Sequence, residues 1–162
     1  MEITTKEYTE KDKEALIKSI EALQSYIVAI DPLKRQATTP GYANTYTDKL
    51  LKAISKKNGK IYFAECGGKI AGFIAGTMQP QAPGGTLQVV PSNPSWIREL
   101  YVSEEFRGKG VGTMLMKTIE EHFKSKGCDT TLVGVFAPNS DSHNFYESKG
   151  YSDLDITMIK KL

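Results

Sequence analysis

Cysteine and histidine are scarce in this 162-residue sequence, which holds only Cys66, Cys128, His122 and His143. Two thiols are too few for a disulfide framework or a metal cage, and neither histidine stands at ligand spacing from them. No metal is expected, and the thiols read as reduced and structural. Long apolar runs are missing as well. No stretch approaches the ~18 residues a membrane span needs, and Glu2 follows Met1 without an apolar signal region, so a cytoplasmic protein with no membrane partner is the expectation. Nor does one sign of charge dominate. The 21 Lys and Arg nearly balance the 19 Asp and Glu, and they are scattered apart from Lys56-Lys57 with Lys60 and the terminal Lys160-Lys161. A nucleic-acid partner is therefore not indicated. Repeats and low-complexity segments are absent. With 40% apolar residues the chain can build one core and is short for two, so residues 1–162 read as one domain.

What is present is a succession of short, strongly patterned segments. Glu2 to Tyr8 reads as a first strand, and Thr9 with Asp12 as a helix start. Leu16, Ile17, Ile20, Leu23, Ile27 and Ile30 then fall at helical spacing until Asp31-Pro32 stops them. A second amphipathic segment runs from Ala43 to Lys57, with Tyr46, Leu50, Leu51 and Ile54 on one face and Asn58-Gly59 as its end signal. Lys60 to Cys66 and Lys69 to Met78 flank Gly67-Gly68 and predict an antiparallel hairpin. Gln79 to Ser95 carries Pro80, Pro83, Gly84, Gly85, Pro91 and Pro94, interrupted only by Leu87 to Val90. It reads as a long loop, with or without a stray strand.

Trp96 to Val102 is the next predicted strand, Gly108 to Lys126 a long helix, and Thr130 to Phe136 another strand. Val111, Met114, Leu115, Ile119 and Phe123 form the helix's apolar stripe, and Gly127 is placed to end it. Strand, crossover helix and strand imply a parallel pair. Pro138-Asn139-Ser140 begins a short helix through Ser148, Gly150 breaks it, and Tyr151 to Lys161 reads as a closing strand.

Between the strand and the long helix lies Arg107-Gly108-Lys109-Gly110-Val111-Gly112. Backbone N–H groups of a glycine-rich loop that opens a helix point outward unpaired, and the helix dipole adds positive charge at the same place, so an anion is expected there. Gly108, Gly110 and Gly112 remove side chains that would keep a diphosphate from the backbone, and Arg107 and Lys109 supply countercharge. Two familiar phosphate loops fail: a Walker loop needs Ser or Thr after Gly108-Lys109, and a dinucleotide fingerprint needs a third glycine at Thr113. A tight turn capping a helix is the alternative reading.

Leu100-Tyr101-Val102, the Arg107 to Gly112 loop, Asn139, Tyr146 and Gly150-Tyr151, in this order and spacing, resemble the GNAT family of N-acetyltransferases. The resemblance covers about Trp96 to Tyr151, and the first ninety residues match it only in the order of elements. It implies a mixed α/β fold with a mostly antiparallel central sheet, helices on both faces, and a splayed parallel strand pair that admits acetyl-coenzyme A. It also implies a ternary complex and direct transfer to a primary amine. The backbone of Leu100, Tyr101 and Val102 would then bind the pantetheine arm and thioester carbonyl. Arg107, Gly108, Lys109, Gly110, Val111 and Gly112 would bind the pyrophosphate, and Asn139 and Tyr146 would contact the coenzyme.

Acetyl transfer to an amine poses two proton problems. An amine with a pKa of about 10.4 must lose a proton before it attacks. Glu99 is the nearest carboxylate to the expected thioester and could take that proton through water; the other reading is a surface carboxylate paired with Arg98. The leaving thiolate, of pKa about 8.5, needs a proton that a phenol of pKa about 10 can give, and Tyr146 fits by position. The other readings are a core aromatic for Tyr146 and a simple N-cap for Asn139. His143 stands where the family often has a small residue and reads as a surface or cofactor-adjacent side chain. Strand alternation sets Arg98 and Glu99 on opposite faces unless a bulge intervenes.

The acceptor pocket would be built by the first two helices, the strand at Trp96 to Val102 and a last hairpin, with Tyr26, Asp31, Tyr42, Tyr46, Trp96 and Glu99 as lining. Such a lining suits a cationic amine, although Tyr26 and Tyr46 also read as helix core. The Gln79 to Pro94 segment could lid the pocket, mediate a homodimer or be a plain surface loop. Two other functions fit the loop: a regulatory module that holds an acyl-coenzyme A without catalysis, and a phosphate-loop nucleotide-binding protein.

Overall fold

The computed structural model describes residues 2–81 and 89–161. Its strands are β1 (Ile3–Glu7), β2 (Lys60–Cys66), β3 (Lys69–Met78), β4 (Pro94–Val102) and β5 (Thr130–Val133), and its helices are α1 (Lys13–Ile30), α2 (Tyr42–Lys56), α3 (Val111–Ser125) and α4 (Ser140–Glu147). The five strands form one sheet in chain order, antiparallel at the first three joints and parallel between β4 and β5.

Alternation along the strands sends side chains to two cores. Phe63, Phe73, Ile61 and Ala75 pack with Leu16 and Ile20 of α1 and Leu50 of α2 on one face. On the other, Ala64, Ile74 and Ile97 pack with Leu115, Ile119 and Phe123 of α3 and Tyr146 of α4. All three helical stripes read from the sequence therefore seat on the sheet. Each large side chain so buried contributes about 1.5–3 kcal/mol. Gly76 of β3 lies directly under α3: a Cβ there would stand 2.6 Å from Phe123 Cζ, so a side chain at 76 would lift the helix from the sheet.

Local signals set the element ends. The Thr9 backbone N–H donates to Asp12 Oδ2 at 2.9 Å ahead of α1, a capping arrangement that satisfies an otherwise free donor. At the end of α3, Cys128 N–H bonds Phe123 O and Gly127 N–H bonds Lys124 O, both at 3.0 Å, which is the Schellman closure expected at Gly127.

Four expectations are corrected. The long helix starts at Val111, not Gly108, because Gly108 and Gly110 take the left-handed φ values of +71° and +84°. β5 stops at Val133, three residues before Phe136. The closing strand at Tyr151 to Lys161 does not form, since that segment pairs with no strand among the described residues, and the last hairpin is lost with it. Alternation alone makes no strand without a neighbour to accept its hydrogen bonds. The stray strand at Leu87 to Val90 lies partly outside the described residues, and Val89 and Val90 are exposed and outside any strand. Among the described residues no helix is long and apolar enough to cross a membrane.

Candidate active site

Two irregularities in β4 create the site. Its pairing with β5 runs from Pro94↔Thr130 to Ile97↔Val133 and ends there, while β4 itself continues to Val102. The sheet thus splays at residue 98. At the same point the β3 register shifts, Ala75 opposing Glu99 and Gly76 opposing Ile97, so Arg98 is a bulged extra residue. The bulge breaks the alternation, and Arg98 and Glu99 both line the cleft that opens between β4 and the chain after β5.

That cleft, of about 230 Å³, is walled by α1, α2, β4, Val133 to Phe136 and α4. Glu99, Leu100, Asn139, Tyr146, Tyr42 and Tyr46 meet there. Glu99 accepts a short hydrogen bond from the Tyr46 hydroxyl, and the Tyr46 ring stacks on Tyr42 with centroids 5.5 Å apart. Burial pushes the Glu99 carboxyl up to about 7, against the opposing pull of the Tyr46 hydrogen bond and the Arg98 charge. The surface reading of Glu99 does not hold. Arg98 turns to other partners, donating to Thr77 Oγ1 and Gln79 Oε1 at 3.0 Å each.

Tyr146 is 8% exposed and belongs both to the α3-side core and to the cleft lining, so the core reading and the site reading hold together. Burial, and secondarily the negative charge of Glu99, raise its phenol well above the ordinary value. Asn139 likewise does two things. It caps α4, its Oδ1 accepting from Ser142 N–H at 3.2 Å, and it also accepts from the Tyr26 hydroxyl at 3.4 Å.

The glycine loop lies outside the cleft lining but is tied to it. The Arg107 guanidinium sits 4.9 Å over the Tyr26 ring and donates from Nε to the Val102 carbonyl at 3.1 Å, so a chain of contacts runs from Arg107 through Tyr26 to Asn139. The first backbone bond into α3 is Met114 N–H to Gly110 O at 3.0 Å. The N–H groups of Val111, Gly112 and Thr113 precede that ladder. A Cβ on Gly108 or Gly110 would meet nothing within 4 Å, whereas on Gly112 it would stand 3.2 Å from the Phe145 ring. The first two glycines therefore serve backbone conformation and an open approach, and the third serves packing of α3 against α4. An open, donor-rich and basic loop fits a diphosphate, and the uncovered edge of β4 from Glu99 to Val102 fits an extended polar chain. The Val102 carbonyl is already taken by Arg107.

Three expected lining residues stand elsewhere. Asp31 caps its own loop, accepting from the N–H groups of Leu33, Arg35 and Gln36. The Trp96 ring lies under the Arg98 guanidinium, 5.5 Å from its centre, and Tyr26 holds Arg107 and Asn139 rather than the cleft wall. His143 is a surface residue: its Nε2 lies 2.8 Å from Asp153 Oδ1, which with the Glu147 charge raises its pKa. Sequence reasoning missed Arg98, Gln24, Gln36 and Ser142 in the lining. The Arg98 bulge depends on β3 and leaves no local signal.

The chain is similar to known proteins in sequence and in fold. The acetyltransferase (GNAT) family model matches residues 27–151. An uncharacterized N-acetyltransferase of Methanocaldococcus jannaschii is 29% identical over 129 residues, 79% of this chain and 73% of that protein. The thialysine N-ε-acetyltransferase of Mus musculus is 32% identical over 59 residues, only 36% of this chain and 35% of that enzyme. Among solved structures, AAC(6')-Iy in complex with the bisubstrate analogue CoA-S-monomethyl-acetylneamine superposes with a TM-score of 0.68 at 14% identity, over 100% of this chain and 99% of that one. That identity bears on the fold alone.

Proposed function

The chain belongs to the GNAT acetyltransferase family, whose members use acetyl-coenzyme A, and from that premise we propose that it moves an acetyl group directly onto a primary amine with both substrates bound. The observation that carries this reading is the coincidence of three features at one place: β4 loses β5 at Ile97, Glu99 and Tyr146 face the gap, and the Arg107 to Gly112 loop opens α3 beside it.

Acetyl-coenzyme A supplies an activated acetyl carbonyl on a thiol leaving group. The residues of this chain do the rest. Backbone N–H groups from Gly108 to Gly112, with the Arg107 and Lys109 charges, bind the pyrophosphate, and the edge of β4 at Leu100 and Tyr101 aligns the pantetheine arm. Tyr42, Tyr46 and Glu99 receive the amine as its ammonium form. Glu99, with a pKa of about 7, takes the ammonium proton near neutral pH, a pKa suited to a general base. Tyr146 keeps its proton throughout this range and gives it to the departing sulfur.

The two groups help each other. The Glu99 charge is one cause of the raised Tyr146 pKa. When Glu99 accepts the amine's proton that charge disappears, and Tyr146 becomes a stronger acid as the thiolate forms.

The test is thiol release from acetyl-coenzyme A across a panel of primary amines, polyamines and lysine peptides, with thermal stability read in the same samples. Transfer to at least one amine, and stabilisation by acetyl-coenzyme A but not by ATP or NAD, is expected. Tight coenzyme binding with no thiol release from any acceptor would favour the non-catalytic regulatory module instead.

A further inference from the structure

A second cavity, of about 640 Å³, lies apart from the cleft and shares no lining residue with it. It wraps the end of the sheet where β1 and β3 finish and β2 begins, beside the C-terminal ends of α2 and α3. Its size is that of a small-molecule pocket. Ile54 of α2, Ile61 of β2 and Met78 of β3 give it an apolar wall.

The polar groups of this cavity are left over from folding. Three buried side-chain atoms have no hydrogen-bond partner among the described residues, and two of them, the Tyr8 hydroxyl and His122 Nε2, belong to its lining. Buried polar atoms are nearly always paired, and each exception calls for a cause. The surroundings are basic. Lys60, from the basic cluster evident in the sequence, and Lys126, at the end of α3, line the same cavity. Lys60 is ion-paired with Glu7 but has three N–H donors to give. Both lysines act on His122: burial and then the Lys60 charge lower its pKa, and the Lys126 charge adds to them, against the Asn58 carbonyl and the Glu7 charge. The imidazole is therefore uncharged near neutral pH and keeps one N–H.

This set of groups selects the sign of a ligand. Glu7, the carboxylate of the lining, is committed to Lys60, and the Phe123 and Lys124 carbonyls at the end of α3 are bonded by the N–H groups of Cys128 and Gly127. A cation would meet two positive charges there, whereas an anion would meet the donors of Lys60, Lys126 and His122. We propose that this cavity is a second binding site, for a small molecule that carries an anionic head, carboxylate or phosphate, on an apolar body. The head is received by His122, Lys60 and Lys126, and the body lies along Ile54, Ile61 and Met78. The proposal does not rest on the acetyltransferase reading, since none of these residues serves the cleft or the glycine loop.

Titration of the full chain with hexanoate and with hexyl phosphate tests it, read by NMR of the imidazole rings, with hexylammonium as the cationic control. The chain has two histidines, and His143 lies on α4 outside this cavity, so it is the internal reference. At least one anion should shift the His122 signals saturably, raise the His122 pKa because a bound negative charge favours the imidazolium, and leave His143 in place. Hexylammonium should do none of this. Acetate, which lacks the apolar body, should bind about tenfold or more weakly than hexanoate. Lys126 is exposed, so Lys126→Glu and the milder Lys126→Gln are expected to keep the fold by circular dichroism, and Lys126→Glu should weaken the anion by about tenfold. A response to one anion alone assigns the head. No saturable shift at His122 with either anion, an equal shift at His143, or undiminished binding in both Lys126 variants overturns the proposal.

Discussion

Burial raises the Glu99 carboxyl to about 7 while the Tyr46 hydroxyl and the Arg98 charge hold it down. These opposed causes can be separated by mutation. Removing the hydroxyl in Tyr46→Phe takes away a donor that favours the charged form, so the acidic limb of the kcat/KM profile against pH should move to higher pH. A limb that stays in place would mean that Glu99 is not the base being titrated. The same residue bears on stability with a defined sign. Its folded pKa lies above the unfolded value of 4.5, so the folded state binds more protons, and the stability linked to Glu99 is full below 4.5 and falls away as pH rises through about 7. Glu99→Gln should therefore melt higher than the wild type at about pH 8 and level with it at about pH 4, while losing ~10²–10⁴ in turnover. A melting difference independent of pH would point to packing instead. Tyr146 was legible from motif order and Glu99 as the carboxylate next to Leu100, and both line the cleft. Arg98 was not, since its place depends on a register shift against β3.

The loop and α3 act as one element, in which backbone shape and charge are inseparable. Gly110 has φ +84° and free space above it, so Gly110→Ala meets no clash but is forced into a left-handed conformation. It should lose about 1–2 kcal/mol of stability and bind acetyl-coenzyme A more weakly, read by thermal unfolding with and without coenzyme. An unchanged response to coenzyme would remove this loop from the binding site. Gly112→Val should act differently, through the Phe145 ring 3.2 Å from its Cβ, by pushing α4 from α3 and disturbing Asn139 and Tyr146 with it. Helix stripes, the Gly67-Gly68 hairpin and the strand-helix-strand crossover were all readable, because each is encoded in local period and punctuation. The starting residue of α3, the early stop of β5 and the unformed closing strand were not. Each of these depends on a partner strand or a glycine conformation that the local pattern does not reveal.

At the scale of the molecule, the proposed coenzyme site lies along one stretch of ordered motifs, while the proposed acceptor site draws its residues from separate elements that the fold brings together. Arg107 to Gly112, Asn139 and Tyr146 come from one continuous stretch of resemblance. Tyr42 and Tyr46 reach the cleft because α2 packs on the face of β2 and β3. Acetyl-coenzyme A at about a hundred times its Kd should stabilise the fold by about 2.7 kcal/mol if it binds the native state alone. The proposed mechanism turns on a proton moving from Tyr146 to the leaving thiolate. The most direct test is thiol release by Tyr146→Phe with an amine that the wild type accepts, alongside calorimetric titration of acetyl-coenzyme A into the same variant. Coenzyme affinity should stay within a few-fold of wild type and the rate should fall by ~10²–10⁴. A variant that turns over at the wild-type rate would contradict it.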